Sequence, residues 1–185
     1  MTVRDVIKET ARLVGDETLF KALNENAENS DDETKEKTEI MLKCFNDTFF
    51  EIATEIYPIE AEEEIAPGKV LFDDLSVYPQ KIKRVRKNGE NIGFYVGVGY
   101  FETSGGGTVT YEKFPTEKIL SDEFEYEKTV VNKTVFGYGM AAEFCLITGR
   151  FSESLNWENR YKNAVAPIMV KRGRSGKIRN SRVWR

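Results

Sequence analysis

Histidine is absent from all 185 residues. Serine–histidine and cysteine–histidine nucleophile systems are thereby excluded, as are most zinc sites, which draw on imidazole nitrogen. Cysteine is nearly as scarce. Cys44 and Cys145 are the two thiols, too few for a disulfide framework. Both sit among apolar residues at helical spacing, which predicts reduced core side chains and a cytosolic setting. No apolar run approaches the length of a membrane span, so no membrane partner is expected. The opening MTVRDVIKETARLVG places Asp5, Lys8 and Glu9 where a secretory signal needs an apolar stretch. No internal repeat is visible.

What the chain does have is an ordinary globular balance, 40% hydrophobic and 31% charged residues, enough for one domain with a core. Its net charge of −4 conceals a split. The last fifteen residues, KRGRSGKIRNSRVWR, carry seven cations and no acid, and the other 170 carry 20 basic and 31 acidic groups. A basic segment beside an acidic body binds nucleic acid or docks on an acidic surface, including that of a neighbouring copy.

Hydrophobic periodicity predicts a four-helix framework interrupted by strands. A short first helix runs from a Thr2 cap to about Leu13, with Val3, Val6 and Ile7 on one face. DETLFKAL adds another helical turn or two, and a polar, asparagine-rich loop follows. A long second helix is capped by Ser30 or Asp31, repeats Ile40, Met41, Cys44, Phe45, Thr48, Phe49, Ile52 and Ile56 at intervals of three and four, and stops at Pro58. The third and fourth helices form a C-terminal hairpin hinged at Gly149. Phe136, Met140, Phe144 and Ile147 point inward from the third, and Leu155, Trp157, Tyr161, Val165 and Ile168 from the fourth, which Pro167 kinks or closes. Between the second and third helices, over about residues 59–127, the period drops to that of strands. Three or four short antiparallel strands are expected, near 69–72, 81–86, 92–97 and 108–114. Asn88-Gly89 is a hairpin turn and Gly105–Gly107 a loop tip. The expected fold is mainly α with a β-hairpin or small-sheet insertion (α+β). A single domain spans 1–170, and an extended basic arm, unfolded in the monomer, spans 171–185.

Catalytic motifs do not emerge. GRSGKI has two residues between its glycines where a phosphate loop has four, and Ile178 where that loop has Ser or Thr. Glu60, Glu62, Glu63, Glu64, Asp73 and Asp74 could serve glycoside hydrolysis or magnesium binding, but read better as solvated acid in exposed connections near Pro58 and Pro67. Phe94, Tyr95, Tyr100 and Phe101, interleaved with Lys83, Arg84, Arg86 and Lys87, could stack bases, and sheet packing accounts for them as well. No catalytic, cofactor or metal residue is assigned, and the chain is not expected to be an enzyme.

The order of elements resembles the head–tail adaptor (connector) proteins of tailed bacteriophages. The likeness runs through TVRDVIKETARLVG, TEIMLKCFNDTFFEIATEIYP, the strand-rich stretch with VTYEKFPTEKILSDEFEY, the hairpin YGMAAEFCLITGRFSESLNWENRYKNAV and the basic end SRVWR. Its most specific part is Ala141-Ala142-Glu143, Cys145-Leu146-Ile147, Gly149-Arg150-Phe151 and Trp157 with Arg160-Tyr161. The resemblance implies a structural virion protein, assembled in the host cytoplasm into a homo-oligomeric ring, typically twelvefold, at the head–tail junction. Its partners are the portal protein above and the next tail or neck component below, with genomic DNA passing through the lumen without sequence-specific contact. It implies a portal-docking arm of Lys171, Arg172, Arg174, Lys177, Arg179, Arg182, Trp184 and Arg185, with Trp184 an apolar anchor. A stopper or tail-completion protein is the near alternative. A nucleic-acid-binding protein using the basic tail is the more distant one, and a carboxylate hydrolase the third.

Overall fold

The computed structural model describes residues 1–25, 31–124, 126 and 130–174, the backbone alone at 25 and 170–174. It corrects the four-helix framework. Among the described residues there are five helices and seven strands in two antiparallel sheets, a mixed α+β fold. The chain divides into two compact units, Met1–Phe49 with everything from Glu117 onward, and Phe50–Thr116.

The first unit is helical: α1 (Val3–Leu13), α2 (Glu17–Glu25), α3 (Asp32–Glu51), α4 (Lys133–Ile147) and α5 (Phe151–Arg174). Thr2 caps α1 by accepting from Asp5 N at 3.1 Å. The extra helix, α2, arises because Asp16 Oδ1 accepts from Leu19 N at 3.0 Å, a new N-cap directly after α1, and Leu19 and Leu23 bury. Asp31 performs the same service for α3 through Thr34 N. The expected second helix is α-helical only to Glu51 and then widens into a π-turn over Ile52–Ile56.

α4 is apolar nearly all round, the pattern of a central helix. Val135, Phe136, Met140, Ala141, Phe144 and Cys145 are buried on it. Its glycine at 139 permits close approach, because a Cβ there would lie 2.7 Å from Thr48 on α3 and 3.2 Å from the Tyr161 ring on α5. Phe45, Phe49, Phe124, Tyr126 and Phe136 form a cluster of edge-on and stacked rings with centroids 5.1–6.4 Å apart. The returning chain is held by the Asn46 amide, which accepts from Lys118 N at 2.8 Å and donates to Lys118 O at 3.0 Å.

The second unit contains β1 (Glu60–Ile65), β2 (Gly68–Leu71), β3 (Pro79–Lys87), β4 (Glu90–Ile92), β5 (Phe94–Gly97), β6 (Tyr100–Thr103) and β7 (Gly107–Lys113). One sheet has the order β1-β7-β3-β4, the other β2-β6-β5. Both contribute to one core of Leu75, Ile82, Val85, Phe101, Val109 and Tyr111. The β3–β4 turn is the expected one: Asn88 at φ 50° and Gly89 at φ 84° place two successive residues in the left-handed region that such a tight hairpin requires. Where one strand was expected over 92–97 there are two. The chain switches sheets at Gly93, so β4 closes one sheet and β5 edges the other.

Candidate functional site

The docking arm was expected to begin at 171. Helix α5 runs through Pro167 and on to Arg174, so Lys171, Arg172 and Arg174 lie on helical backbone. Val165 and Ile168, buried on either side of the proline, hold the helix in place where one amide donor is missing. Lys177, Arg179, Arg182, Trp184 and Arg185 lie outside the described residues.

The acidic run near Pro58 and Pro67 proves to be a strand, which corrects its reading as an exposed connection. EAEEEI alternates, so Glu60, Glu62 and Glu64 face solvent while Ala61 and Ile65 pack on the core. Glu63 shares their inward side. Its carboxylate accepts from the Tyr111 hydroxyl, and both oxygens accept from Ser76 N at 3.1 Å. Burial alone would raise the Glu63 pKa. The Tyr111 and Ser76 hydrogen bonds outweigh it and hold the carboxyl below its usual range. Burial, and then the carboxylate itself, push the Tyr111 phenol up to about 12.

On the solvent face, β1, β7 and β3 build rows of acid, hydroxyl and base. Glu62 Oε1 accepts from the Thr110 hydroxyl at 2.9 Å, and Thr110 accepts from Arg84 Nε at 3.2 Å. Lys83 pairs with Glu60 and, at 3.6 Å, with the buried Glu112. Glu64 accepts from the Thr108 hydroxyl at 2.6 Å, and Arg86 Nε donates to Asn91 at 3.3 Å.

This geometry divides the base-stacking platform between two sheets. Lys83, Arg84, Arg86 and Lys87 lie on β3 in one sheet, while Phe94, Tyr95, Tyr100 and Phe101 lie on β5 and β6 in the other. Phe101 is fully buried, and Tyr100 carries the Lys69 ammonium over its ring at 4.1 Å. Two of the cations are spent on glutamates of β1. Asp73 and Asp74 fall on a single 3-10 turn, Asp74 Oδ2 accepting from Leu71 N. Among the described residues no three carboxylates or thiols converge as a metal site. Both cysteines are buried, and burial pushes the Cys44 thiol up to about 12.

Several exposed apolar side chains escaped the sequence reading. Ile147 and Leu155, expected inward, are 50% and 59% exposed, and Leu146 and Phe151 join them at the α4–α5 turn. In the second unit Tyr95 is 65% exposed, Val96 46%, Leu71 44%, and Val98 at the β5–β6 turn is fully open. Periodicity assigns a face but not a neighbour to cover it, so these residues carried no warning signal. Trp157 does reach a partner, stacking on Tyr138 at 5.7 Å with Arg160 above it at 4.7 Å. Arg150 donates to the Val14 carbonyl at 3.2 Å, tying the hairpin turn to the end of α1.

A cavity of about 320 Å³ opens between the start of α4 and Ala164, Pro167 and Ile168 of α5. Asn132 lines it, but its side chain is occupied capping α4 through Thr134 N and Val135 N. No helix among the described residues is long and apolar enough to cross a membrane. No protein-family model matches the chain, and no curated protein matches it.

Proposed function

We propose that the chain is a structural adaptor of the head–tail connector of a tailed bacteriophage, one subunit of a ring that links portal to tail and continues the DNA channel. The observation that carries this reading is the placement of charge. An acidic chain of two compact units has at its end a 24-residue helix, α5, whose last residues carry three cations, Lys171, Arg172 and Arg174, and the sequence beyond it adds four more, seven in all without an acid. An arm of that kind contributes multivalent attachment when repeated around a ring, which offsets the entropy of ordering it. On this reading Arg172, Arg174, Lys177, Arg179 and Arg182 pair with acidic portal surface and Trp184 fills an apolar pocket there. The residues that carried the resemblance support it as packing motifs: Ala141 and Cys145 in the core of α4, Arg150 on the α1 terminus, Trp157 and Arg160 in one stack.

The test is binding of the full chain, and of a truncation after Arg174 that leaves α5 whole, to the portal ring encoded beside it. Binding by the full chain alone supports the docking arm. A chain that ignores the portal but retains duplex DNA, with a log-affinity against log-salt slope approaching about −6, replaces the adaptor with a nucleic-acid-binding protein. Binding to a tail component without the portal moves the assignment to a stopper or tail-completion role.

A further inference from the structure

The second unit has two unlike flanks. β1 and β2 are consecutive in the chain and stand at one end of their respective sheets, and β4 and β5, joined through Gly93, stand at the other. β1 and β2 contain four carboxylates, Glu60, Glu62, Glu63 and Glu64, against one cation, Lys69. β4 and β5 themselves carry one acid, Glu90, and no cation; the cations of that side are on β3, the strand next to β4, which contributes Lys81, Lys83, Arg84, Arg86 and Lys87. Internal pairing consumes Lys83 and Arg84. Arg86, Lys87 and Lys81 have no carboxylate within ion-pair distance among the described residues, and Glu64 meets a hydroxyl instead of a cation.

The edge strands differ as well. β1 is guarded by glutamates, the usual protection against an added strand. β5, with the sequence FYVG, has no charge and no proline, and Tyr95 and Val96 are open to water on it. On the opposite flank Leu71 is 44% exposed.

We propose that the β4–β5 flank of one copy docks on the β1–β2 flank of a second copy. Arg86 and Lys87 then meet the surplus glutamate charge of β1, Tyr95 and Val96 are buried beside them, and Leu71 of the second copy supplies apolar surface. Aromatic and arginine side chains at such a contact are the residue types that carry interface energy. Like-with-like pairing is disfavoured on both sides, glutamate against glutamate and cation against cation, so the contact has one polarity. A contact between two different flanks repeats from copy to copy, and closes into a ring when its rotation permits. This inference names the subunit contact of the adaptor ring and rests on that reading for closure, not for the contact itself.

Sedimentation velocity on the full chain tests it, because the screening length falls from about 10 Å at 0.1 M salt to about 3 Å at 1 M. The wild type is expected to associate in a concentration-dependent way at the lower salt and to dissociate at the higher. Glu62→Lys with Glu64→Lys, and separately Arg86→Glu with Lys87→Glu, should each weaken association about tenfold or more. An equimolar mixture of the two variants should recover it, since every flank again meets its opposite. Circular dichroism checks folding, and Tyr95→Ser, at an exposed position, weakens association without altering any charge. A wild type that stays monomeric at 0.1 M salt up to about 1 mM, or charge-reversed variants that associate like the wild type, overturns the proposal. Portal binding by a chain that fails to self-associate sinks this contact and leaves the adaptor reading standing. Self-association without portal binding does the reverse.

Discussion

The helical unit and the β unit bury different chemistry. In the first, the interior is aromatic and small: five packed rings, Phe45 among them, and an α4 whose glycine at 139 lets α3 and α5 approach. Thr2, Asp16, Asp31, Asn132 and Arg150 serve helix ends and turns, and Asn46 within α3 holds the returning chain at Lys118. The β unit has a smaller apolar core and places a carboxylate on its inward side, where Glu63 ties β1 to Tyr111 of β7 and to the loop at Ser76. Geometry explains the contrast. A helix satisfies its own backbone and needs polar side chains only at its termini, whereas a small sheet exposes one face and relies on cross-strand pairs. The helical unit is therefore governed by packing volume, and the β unit by charge and hydrogen bonding.

The sharpest way to break that contrast is Phe45→Ala, which removes a fully buried ring that packs on Phe49, Phe124 and Phe136. It should cost about 3–5 kcal/mol, seen as a lowered thermal midpoint by far-ultraviolet circular dichroism, and the same loss in 0.1 M and 1 M salt marks a packing effect. Gly139→Val forces a side chain into the 2.7 Å gap to Thr48 and should cost about 1–3 kcal/mol, read from the denaturation midpoint in urea.

In the β unit, Tyr111→Phe removes the hydroxyl donor to Glu63 and should cost about 1–3 kcal/mol, with a pH signature the helical variants lack. Because the folded Glu63 carboxyl is held below its usual range, its contribution is present above the unfolded value of about 4.3 and is lost as pH falls through the folded one. The Tyr111 phenol, raised to about 12 when folded, contributes below about 10 and loses that contribution as pH rises towards its folded value. Urea midpoints collected from pH 3 to 11 should show both slopes shallower in the variant than in the wild type, the remainder coming from groups the variant keeps, Asp5 and Asp31 on the acid side and Cys44 on the alkaline side. Equal slopes in the two proteins would remove the Glu63–Tyr111 pair from the account. Smallest of all, Arg150→Ala frees the Val14 carbonyl and should cost about 0.5–1.5 kcal/mol in the same assay.

Much of the helical unit was legible in advance because its signals are local. Thr2, Asp31 and Gly149 mark ends, and Met41, Cys44, Phe45 and Phe49 recur at the helical period. Where legibility failed, a non-local partner decided. The exception is local: DETLFKAL reads as one or two further helical turns, and the Asp16 cap on Leu19 makes it a helix of its own, α2. EAEEEI looks like solvated connection because glutamate is a poor strand former, yet pairing with β7 from Glu60↔Glu112 to Ile65↔Gly107 makes it a strand. Ile147 and Leu155 obey the inward period and are open to water, since a period cannot say whether a neighbour arrives.

By itself the sequence determined where α1, α3 and α4 start, the Asn88-Gly89 turn, the lack of imidazole chemistry, and the opposition of an acidic chain to a basic terminus. These are matters of composition, backbone preference and near-neighbour spacing. Only the tertiary structure decided that the strands divide into two sheets at Gly93, that cations and aromatics of the middle region lie on different sheets, and that an inward glutamate is matched by a tyrosine 48 positions away. Each of those depends on which strand pairs with which, and strand pairing is settled by contacts between residues distant in the chain.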